Sequence, residues 1–442
     1  MTQANEDHSC GSISHWNRRT LLKLAGLSGL SWLTPLATRL ARAEESNRRA
    51  KAKALIVLWL EGAPSQLETF DPHPNTDIAA GSKARKTKAK NILLGEGLEQ
   101  TAEQMDSISI VRAITSKEGD HERAIYNVKT GFRPDPTLVH PAVGSVICHQ
   151  IKDEREQVVD IPRHISILPG GFPSRGGYLG DQFDAFKVFD PIQPIPDVAA
   201  RVEKQRQLER INKLKFADEQ FLKKRRNNKV VGQSLQNSNL EAALEMMSSD
   251  QLSAFDISSI PRAERLAFGD TPFGRSCLAA IGLIEAGVRC VEITLGGWDT
   301  HANNHALQAG RIDILDPAFA RLVAELKKRD MLDSTLVVCG GEFGRTPWIN
   351  AVGGRDHWPH GFSIALAGGG IQGGRVIGET SPNPKKGSKR PTDDLKDARP
   401  IEDIHATVFK TLGIDFEQEL DTPIGRPMAV CQGKPISQLL DG

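Results

Sequence analysis

Six short runs of apolar, strand-forming residues constrain the fold of this chain more than any other feature. The first, residues 53–60, is apolar at almost every position and ends at Glu61-Gly62. A run that is apolar on both faces is typical of a parallel strand covered by helices on each side. Helical patterns separate several of the runs, so the sequence predicts an α/β fold with a mostly parallel sheet flanked by helices. The other five runs are residues 107–111, 164–168, 288–295, 335–339 and 363–367.

The composition indicates one large domain and no nucleic-acid partner. The chain has 442 residues, with 56 Lys and Arg against 55 Asp and Glu, a formal net charge of +1. A balanced charge creates no field that would recruit nucleic acid. Residues 199–251 differ from the rest, because they are rich in Lys, Arg and Glu with apolar residues at helical spacing. We therefore predict a domain at residues 44–442, interrupted by a helical insertion at about 199–251 that contributes no metal ligand.

The amino terminus carries the features of a twin-arginine signal peptide. Arg18-Arg19 is followed by two leucines and Lys23, then by an apolar stretch at residues 24–36 and by Ala41-Arg42-Ala43. The stretch is short for a transmembrane helix, and the alanines suit a signal peptidase, although an uncleaved anchor is the alternative. The expected partner is the twin-arginine export machinery, and the expected location is the periplasm, the cell surface or the medium. No later segment is long and apolar enough to span a membrane, so no stable span is expected after cleavage.

Candidate metal ligands cluster between residues 296 and 360. Asp299 and His301 lie in a Gly-Gly-Trp-Asp-Thr-His segment directly after a predicted strand. Glu342 follows the next predicted strand among glycines, and Asp356-His357 lies on a further loop. Strand carboxyl ends meet at one edge of such a sheet, so we expect these side chains to converge. The alternative is that they cap helices or form a polar core network.

The residue types at this predicted site favour one or two divalent metal ions. Carboxylates and imidazoles without cysteine suit Zn, Mn, Mg or Ca better than a thiolate site would. The metal identity stays open at this point.

Four segments carry a resemblance to a known family. Residues 58–72 (LWLEGAPSQLETFDP), together with Gly-Gly-Trp-Asp-Thr-His, Gly-Glu-Phe-Gly-Arg-Thr-Pro and Gly-Arg-Asp-His-Trp-Pro, resemble the domain-of-unknown-function 1501 family of exported bacterial proteins. That family is similar to the sulfatase-like branch of the alkaline phosphatase superfamily, and the similarity runs from about residue 54 to 430. It implies a metal-dependent hydrolase of phosphate or sulfate esters that acts on a small-molecule or sugar ester. It also implies a set of metal ligands: Glu61, Asp299, His301, Glu342, Asp356 and His357.

The resemblance breaks at the nucleophile. Sulfatases carry Cys or Ser ten residues before a glycine that matches Gly131, and this chain has His121 there. A histidine cannot form the formylglycine of those enzymes, so an ordinary sulfatase is excluded. Ser65, Ser116 or a metal-activated water could take the role of the nucleophile.

Two arginines are candidates for binding the anionic ester, and two other functions stay open. Arg123 and Arg345 could clamp a tetrahedral oxyanion, or serve as salt-bridge partners. The missing nucleophile also leaves open a catalytically silent, metal-bearing binding protein. A phosphoryl mutase or transferase is the second alternative.

Overall fold

A computed structural model describes residues 52–151, 159–196, 198, 202–224, 235–386 and 391–440. The predicted signal at residues 1–43 lies outside the described residues. Within the described part, no helix is long and apolar enough to cross a membrane.

A central sheet organises the described chain, and it is mostly parallel. The strands are β1 (Ala54–Trp59), β2 (Ile108–Thr115), β3 (His164–Ile167), β4 (Phe186–Val188), β5 (Cys290–Thr294), β6 (Thr335–Gly340), β7 (Phe362–Gly368), β8 (Val376–Ile377) and β9 (Arg399–Pro400). They run in the order β8-β2-β7-β6-β1-β5-β3-β4, and β9 also pairs with β2. Only β7 runs antiparallel to its neighbours in this sheet. Short two-stranded pairings add Ala84–Lys86 with Leu93–Gly95, Gly344–Arg345 with His357–Trp358, Glu379–Thr380 with Leu395–Lys396, and Glu419–Leu420 with Met428–Ala429.

Helices flank the sheet, as the sequence predicts. They are α1 (Glu99–Glu103), α2 (His121–Thr130), α3 (Val143–Gln150), α4 (Lys204–Lys224), α5 (Leu235–Ser248), α6 (Arg262–Leu266), α7 (Pro272–Glu285), α8 (Asn304–Lys328), α9 (Ile401–Thr411) and α10 (Ser437–Leu440). The prediction of an α/β fold with a mostly parallel sheet is confirmed. Helices α4 and α5 occupy the described part of the segment predicted as an insertion.

Both faces of the sheet are buried, which explains why β1 is apolar without alternation. Ile56 and Leu58 belong to a core cluster with Phe319 of α8, whereas Leu55 and Trp59 belong to a second cluster with α3 and α9. All four of these β1 side chains are at most 4% exposed. Successive side chains of a strand point to opposite faces, so each face of β1 meets its own layer of helices.

The loops that follow β1 and β5 touch at the carboxyl edge of the sheet. Glu61 donates its backbone N–H to Leu295 O (3.0 Å), and Trp298 donates to Glu61 O (3.3 Å). Gly62 has a φ of +105°, and a Cβ there would lie 2.7 Å from the backbone nitrogen of Asp299. Only glycine fits such a close approach without strain. The two loops thereby place Asp299 beside the end of β1.

Candidate metal centre

Three side chains converge at this edge of the sheet. His121 is the first residue of α2, Asp299 follows β5, and His357 begins the short strand that pairs with Gly344–Arg345. One ligand atom of each side chain lies within 4.8 Å of those of the other two. Ligands bound to one ion at about 2.0–2.2 Å have separations of this order. The three residues thus form a group that one ion could bridge.

Two of the imidazoles are fixed in the same tautomer. Nδ1 of His357 lies 2.7 Å from the carbonyl oxygen of Gly119, and because a carbonyl only accepts, Nδ1 carries the hydrogen. Nδ1 of His121 lies 2.7 Å from the Oε1 atom of Glu342, which accepts its hydrogen in the same way. Nε2 is therefore the nitrogen of each ring that remains to bind a proton or a cation. The two Nε2 atoms face Asp299, at 3.4 Å for His121 and 3.5 Å for His357.

His301 repeats this arrangement. Its Nδ1 donates to Asp356 Oδ1 (3.0 Å), and its Nε2 lies 3.1 Å from Asp299 Oδ1 and 2.9 Å from Nε2 of His357. Two imidazole lone pairs at this distance repel each other unless a proton or a cation lies between them. Three imidazole Nε2 atoms and one carboxylate thus form a set of potential metal ligands, and each Nδ1–H points away from that set.

A buried platform holds two of the rings. Phe343 is fully buried, and its ring centroid lies 4.9 Å from that of His121 and 4.5 Å from that of His357. Glu342 is also fully buried, and its Oε1 accepts a second hydrogen bond from Gly62 N (2.9 Å). Glu342 and Phe343 follow strand β6, so the core of the sheet fixes the positions of these imidazoles.

The electrostatics favour the protonation states that metal ligands need at Asp299 and His357, but not at His121. Burial opposes ionisation of Asp299, but the hydrogen bond and charge of Arg345 outweigh it and keep the pKa of Asp299 below its usual value. Burial lowers the pKa of His357, which favours the neutral ring. The hydrogen bond to Glu342 raises the pKa of His121, so a cation at its Nε2 has to compete with a proton there.

The donor set fits a divalent ion. Nε2 of His121 is buried and makes no hydrogen bond within the described part of the chain, although it faces the Asp299 carboxylate. Neutral imidazoles combined with a carboxylate are typical zinc ligands, and each imidazole has an acceptor on its other nitrogen, as histidine ligands usually do. His121, Asp299 and His357 would hold the ion, with His301 beside them.

Several predicted site residues lie elsewhere or act through another residue. The Glu61 carboxylate turns to the loop after β3, where Oε1 accepts a hydrogen bond from Gly171 N (3.2 Å). Glu342 and Asp356 contact the cluster through the Nδ1 atoms of His121 and His301.

The two candidate serine nucleophiles are both buried. Ser65 is fully buried, with its N–H on Gln308 and its carbonyl oxygen accepting from Thr69. Ser116 is 8% exposed, and its Oγ donates to Asn127 Oδ1 (3.1 Å). Neither position exposes a hydroxyl for attack on a substrate.

The two candidate arginines are already engaged. Arg123 donates from Nε and Nη2 to Glu118, at 2.8 and 3.1 Å, and its side chain is about half exposed. Arg345 is fully buried and donates to Asp299 and to the backbone oxygens of Gly62 and Ala63. In this structure Arg345 positions the Asp299 carboxylate and the loop after β1.

His121 is one of the residues that the sequence predicts to be catalytic, because counting back from Gly131 leads to it at the nucleophile position. The structure places it among the candidate metal ligands. A signal existed in the sequence: Asp120-His121 follows a predicted strand and begins a helix, and Asp120 caps that helix by accepting from Arg123 N. Its partner Glu342 is 221 positions away, and no local pattern connects the two.

The family model for DUF1501, a protein of unknown function, matches residues 52–440. The chain belongs to the DUF1501 family. The matched region contains every residue of the candidate metal centre. This DUF1501 chain has no match among curated proteins.

Solved structures with a similar fold include enzymes of the sulfatase and phosphatase type. Ps i-CgsB in complex with k-i-k-neocarrahexaose has a TM-score of 0.39 and 10% identity, over 83% of this chain and 73% of that one. The lipoteichoic acid synthase LtaP from Listeria monocytogenes has a TM-score of 0.38 and 11% identity, over the same shares. The alkaline phosphatase from the Antarctic bacterium TAB5 has a TM-score of 0.32 and 13% identity, over 82% of this chain and 99% of that one. Likeness at this level says nothing about the activity of this chain.

Proposed function

We propose that this DUF1501 protein is an exported, metal-dependent hydrolase of phosphate or sulfate esters. The observation that carries the proposal is the set of three imidazoles whose Nδ1–H groups all donate outwards, while their Nε2 atoms meet the Asp299 carboxylate. Metal ligands in proteins are typically held in this way by a second layer of acceptors. Among the candidate metals, Zn²⁺ suits nitrogen-rich ligation best.

The residues of the candidate metal centre have two different roles in this proposal. His121, Asp299 and His357 hold the ion, and Glu342 and Gly119 fix the orientation of the two imidazoles. A zinc ion in such a site lowers the pKa of bound water to about 7 and polarises an ester oxygen. This chemistry needs no side-chain nucleophile, which agrees with the burial of both candidate serines.

The centre is also open to substrate. The side chains of Asp299 and His301 are 44% and 48% exposed, whereas Glu342 behind them is fully buried. An ester can therefore reach the ion from the exposed side, while buried Glu342 holds the ligands in place from behind. His301, which donates to Asp356 and points Nε2 towards the cluster, is placed to complete the ligand set or to exchange a proton with substrate.

The test is hydrolysis by mature protein loaded separately with Zn²⁺, Mn²⁺, Mg²⁺ or Ca²⁺. We expect at least one ion to support hydrolysis of 4-nitrophenyl phosphate or 4-nitrophenyl sulfate. We also expect EDTA and His121→Ala to abolish it, because each removes part of the centre. The matched control is His149→Ala, on α3 outside the cluster, which should keep the activity. Stoichiometric metal without hydrolysis of either ester would favour the silent binding protein, and hydrolysis that survives EDTA would contradict the proposal.

A further inference from the structure

A large cavity opens beside α2, the helix that begins with His121. Its volume is about 830 Å³, within the range of small-molecule sites. Asp120, directly before His121, lines one end, and Gly171 of the loop after β3 lines another wall. Because Gly171 N donates to Glu61, that wall is joined to the carboxyl end of β1. The cavity therefore borders the edge of the sheet that carries the metal centre.

The cavity extends along the whole of α2. Lys129, at the last turn of the helix, also lines it, and its Nζ donates to Phe172 O (2.8 Å). Eight residues separate His121 from Lys129, which is about 12 Å along a helix. Lys129 thus ties Phe172, and with it the wall that includes Arg175, to the last turn of α2.

The charged groups that line the cavity differ between the first and last turns of α2. Asp120, Glu122 and Arg123 lie at the first turn, beside the candidate metal centre, and Arg123 is paired with Glu118. At the last turn Lys129 is buried and paired with Glu292 at 2.8 Å. Within the described part of the chain, the exposed guanidinium of Arg175 has no hydrogen bond or ion pair. Among the lysines and arginines that line the cavity, Arg175 is therefore the one that is available to a ligand.

The cavity also has apolar surface. Phe172 and Val139 both line the cavity and are 42% and 53% exposed. Tyr126 adds an aromatic ring from α2. Exposed apolar side chains around a few polar groups are the usual lining of a site for an organic ligand.

We propose that this cavity binds the part of the substrate remote from the ester, and that this part carries a second anionic group, which Arg175 binds. The group is a carboxylate, sulfate or phosphate, since all three accept the forked hydrogen bonds of a guanidinium. The substrate is therefore a dianion, with the ester group at the metal centre and the second charge at Arg175. This inference rests on the proposed function, because it assigns the ester to the metal centre.

The test is the affinity of two matched ligands, measured by titration calorimetry on mature, Zn²⁺-loaded protein. Biphenyl-4,4′-dicarboxylate carries a second anion, and biphenyl-4-carboxylate does not. We expect the dicarboxylate to bind about tenfold more tightly, because one carboxylate reaches the metal centre and the other reaches Arg175. Arg175→Gln should remove this difference, and Arg175→Lys should keep part of it.

The control is Arg262→Gln, which changes an exposed arginine that does not line the cavity and should leave the tenfold preference intact. Thermal unfolding of each variant establishes that it is folded. Equal affinities in the unsubstituted protein, absence of binding, or a preference that survives Arg175→Gln would overturn the inference. Ester hydrolysis measured on the same preparations separates the two proposals: hydrolysis without the preference contradicts the cavity assignment alone. The preference without hydrolysis contradicts the proposed function alone.

Discussion

His121 is the residue on which the candidate metal centre depends most closely. Its Nδ1–H is held by Glu342, which is fully buried and receives a second hydrogen bond from Gly62. A carboxylate fixed in this way leaves the imidazole little freedom to rotate, and Nε2 stays directed towards Asp299. The position of this one nitrogen thus follows from the packing at the end of β6.

The first prediction separates metal ligands from the residue that orients one of them. His121→Ala or Asp299→Ala should abolish stoichiometric Zn²⁺ binding, because each removes a donor atom. Glu342→Gln should weaken binding by about 10- to 100-fold and retain the site, since it changes only the acceptor behind His121. Equilibrium dialysis against buffered Zn²⁺ measures both effects. Glu285→Gln, at a surface ion pair with Arg329, is the control. Unchanged Zn²⁺ affinity in Glu342→Gln would show that Glu342 does not orient the ligand.

The second prediction concerns Glu68, outside the metal centre. Burial opposes its ionisation, but hydrogen bonds from His305 and the charge of Arg355 outweigh this effect and lower the pKa of Glu68 to about 2. A carboxylate with a lowered pKa stabilises the fold above its unfolded pKa of 4.5, and this contribution is lost as the pH falls towards 2. The shift corresponds to about 3 kcal/mol.

Urea unfolding between pH 5 and pH 2 measures this contribution. The native protein should lose about 3 kcal/mol of unfolding free energy attributable to Glu68, and Glu68→Gln should show a shallower decline over the same window. Parallel pH curves for the two proteins would rule out the assigned role.

At the level of single residues, the sequence predicted which loop residues come together. Asp299, His301 and His357 lie close together, as expected from loops at one edge of a parallel sheet. The sequence could not predict the directions of the His121 and Glu61 side chains, because distant partners set them. Glu342 holds the former, and Gly171 receives the latter.

The sequence predicts the long strands of the central sheet but not the short ones. The six predicted strands are present because each contributes several buried apolar residues, as in β1 and β7. The structure adds β4, β8 and β9, which have only two or three residues each. Such short strands carry no periodic signal, and pairing with β2 or β3 is what orders them. Strand β2 also extends to Thr115, four residues beyond its predicted end.

A buried ion pair joins α2 to the sheet. Lys129 donates to Glu292 of β5 at 2.8 Å, and Ser174 donates to the same carboxylate at 2.7 Å. Burial opposes ionisation of Glu292, yet the charge of Lys129 keeps the pKa of Glu292 below its usual value. The pair fixes the carboxyl-terminal end of the helix whose first residue is His121.

The third prediction tests this pair. Lys129→Met should lower the unfolding free energy by about 3–5 kcal/mol, because it leaves Glu292 charged and unpaired in the interior. The double variant Lys129→Met/Glu292→Met should lose less than the sum of the two single variants, since no lone charge remains. Chemical denaturation of the four proteins gives the coupling energy. Additive losses would contradict a direct interaction.

At the scale of the whole molecule, the predicted export signal is compatible with a metal centre that forms only in the folded domain. A twin-arginine signal passes a protein that has already folded, so a metal centre assembled from loops far apart in the chain could form before export. Residues 1–43 lie outside the described residues, and export stays a prediction.

The fourth prediction is that export requires both arginines of the signal. Changing Arg18 and Arg19 together to lysine should retain the precursor inside the cell, because a receptor reads the pair and charge alone does not replace it. Cell fractionation and immunoblotting detect the precursor, and mature protein should otherwise begin near Glu44. Changing Lys51 and Lys53 together to arginine is the control outside the signal. Export of the Arg18→Lys/Arg19→Lys protein at the normal level would exclude the twin-arginine route.

The claim of a metal centre is tested most directly by anomalous X-ray diffraction from crystals of the mature protein grown with Zn²⁺, measured on both sides of the zinc absorption edge. We expect one strong anomalous peak between Nε2 of His121, Nε2 of His357 and the carboxylate of Asp299, at about 2.0–2.2 Å from each ligand atom. Absence of a peak among these three residues, with zinc bound elsewhere or not at all, would contradict the metal centre and the hydrolase that depends on it.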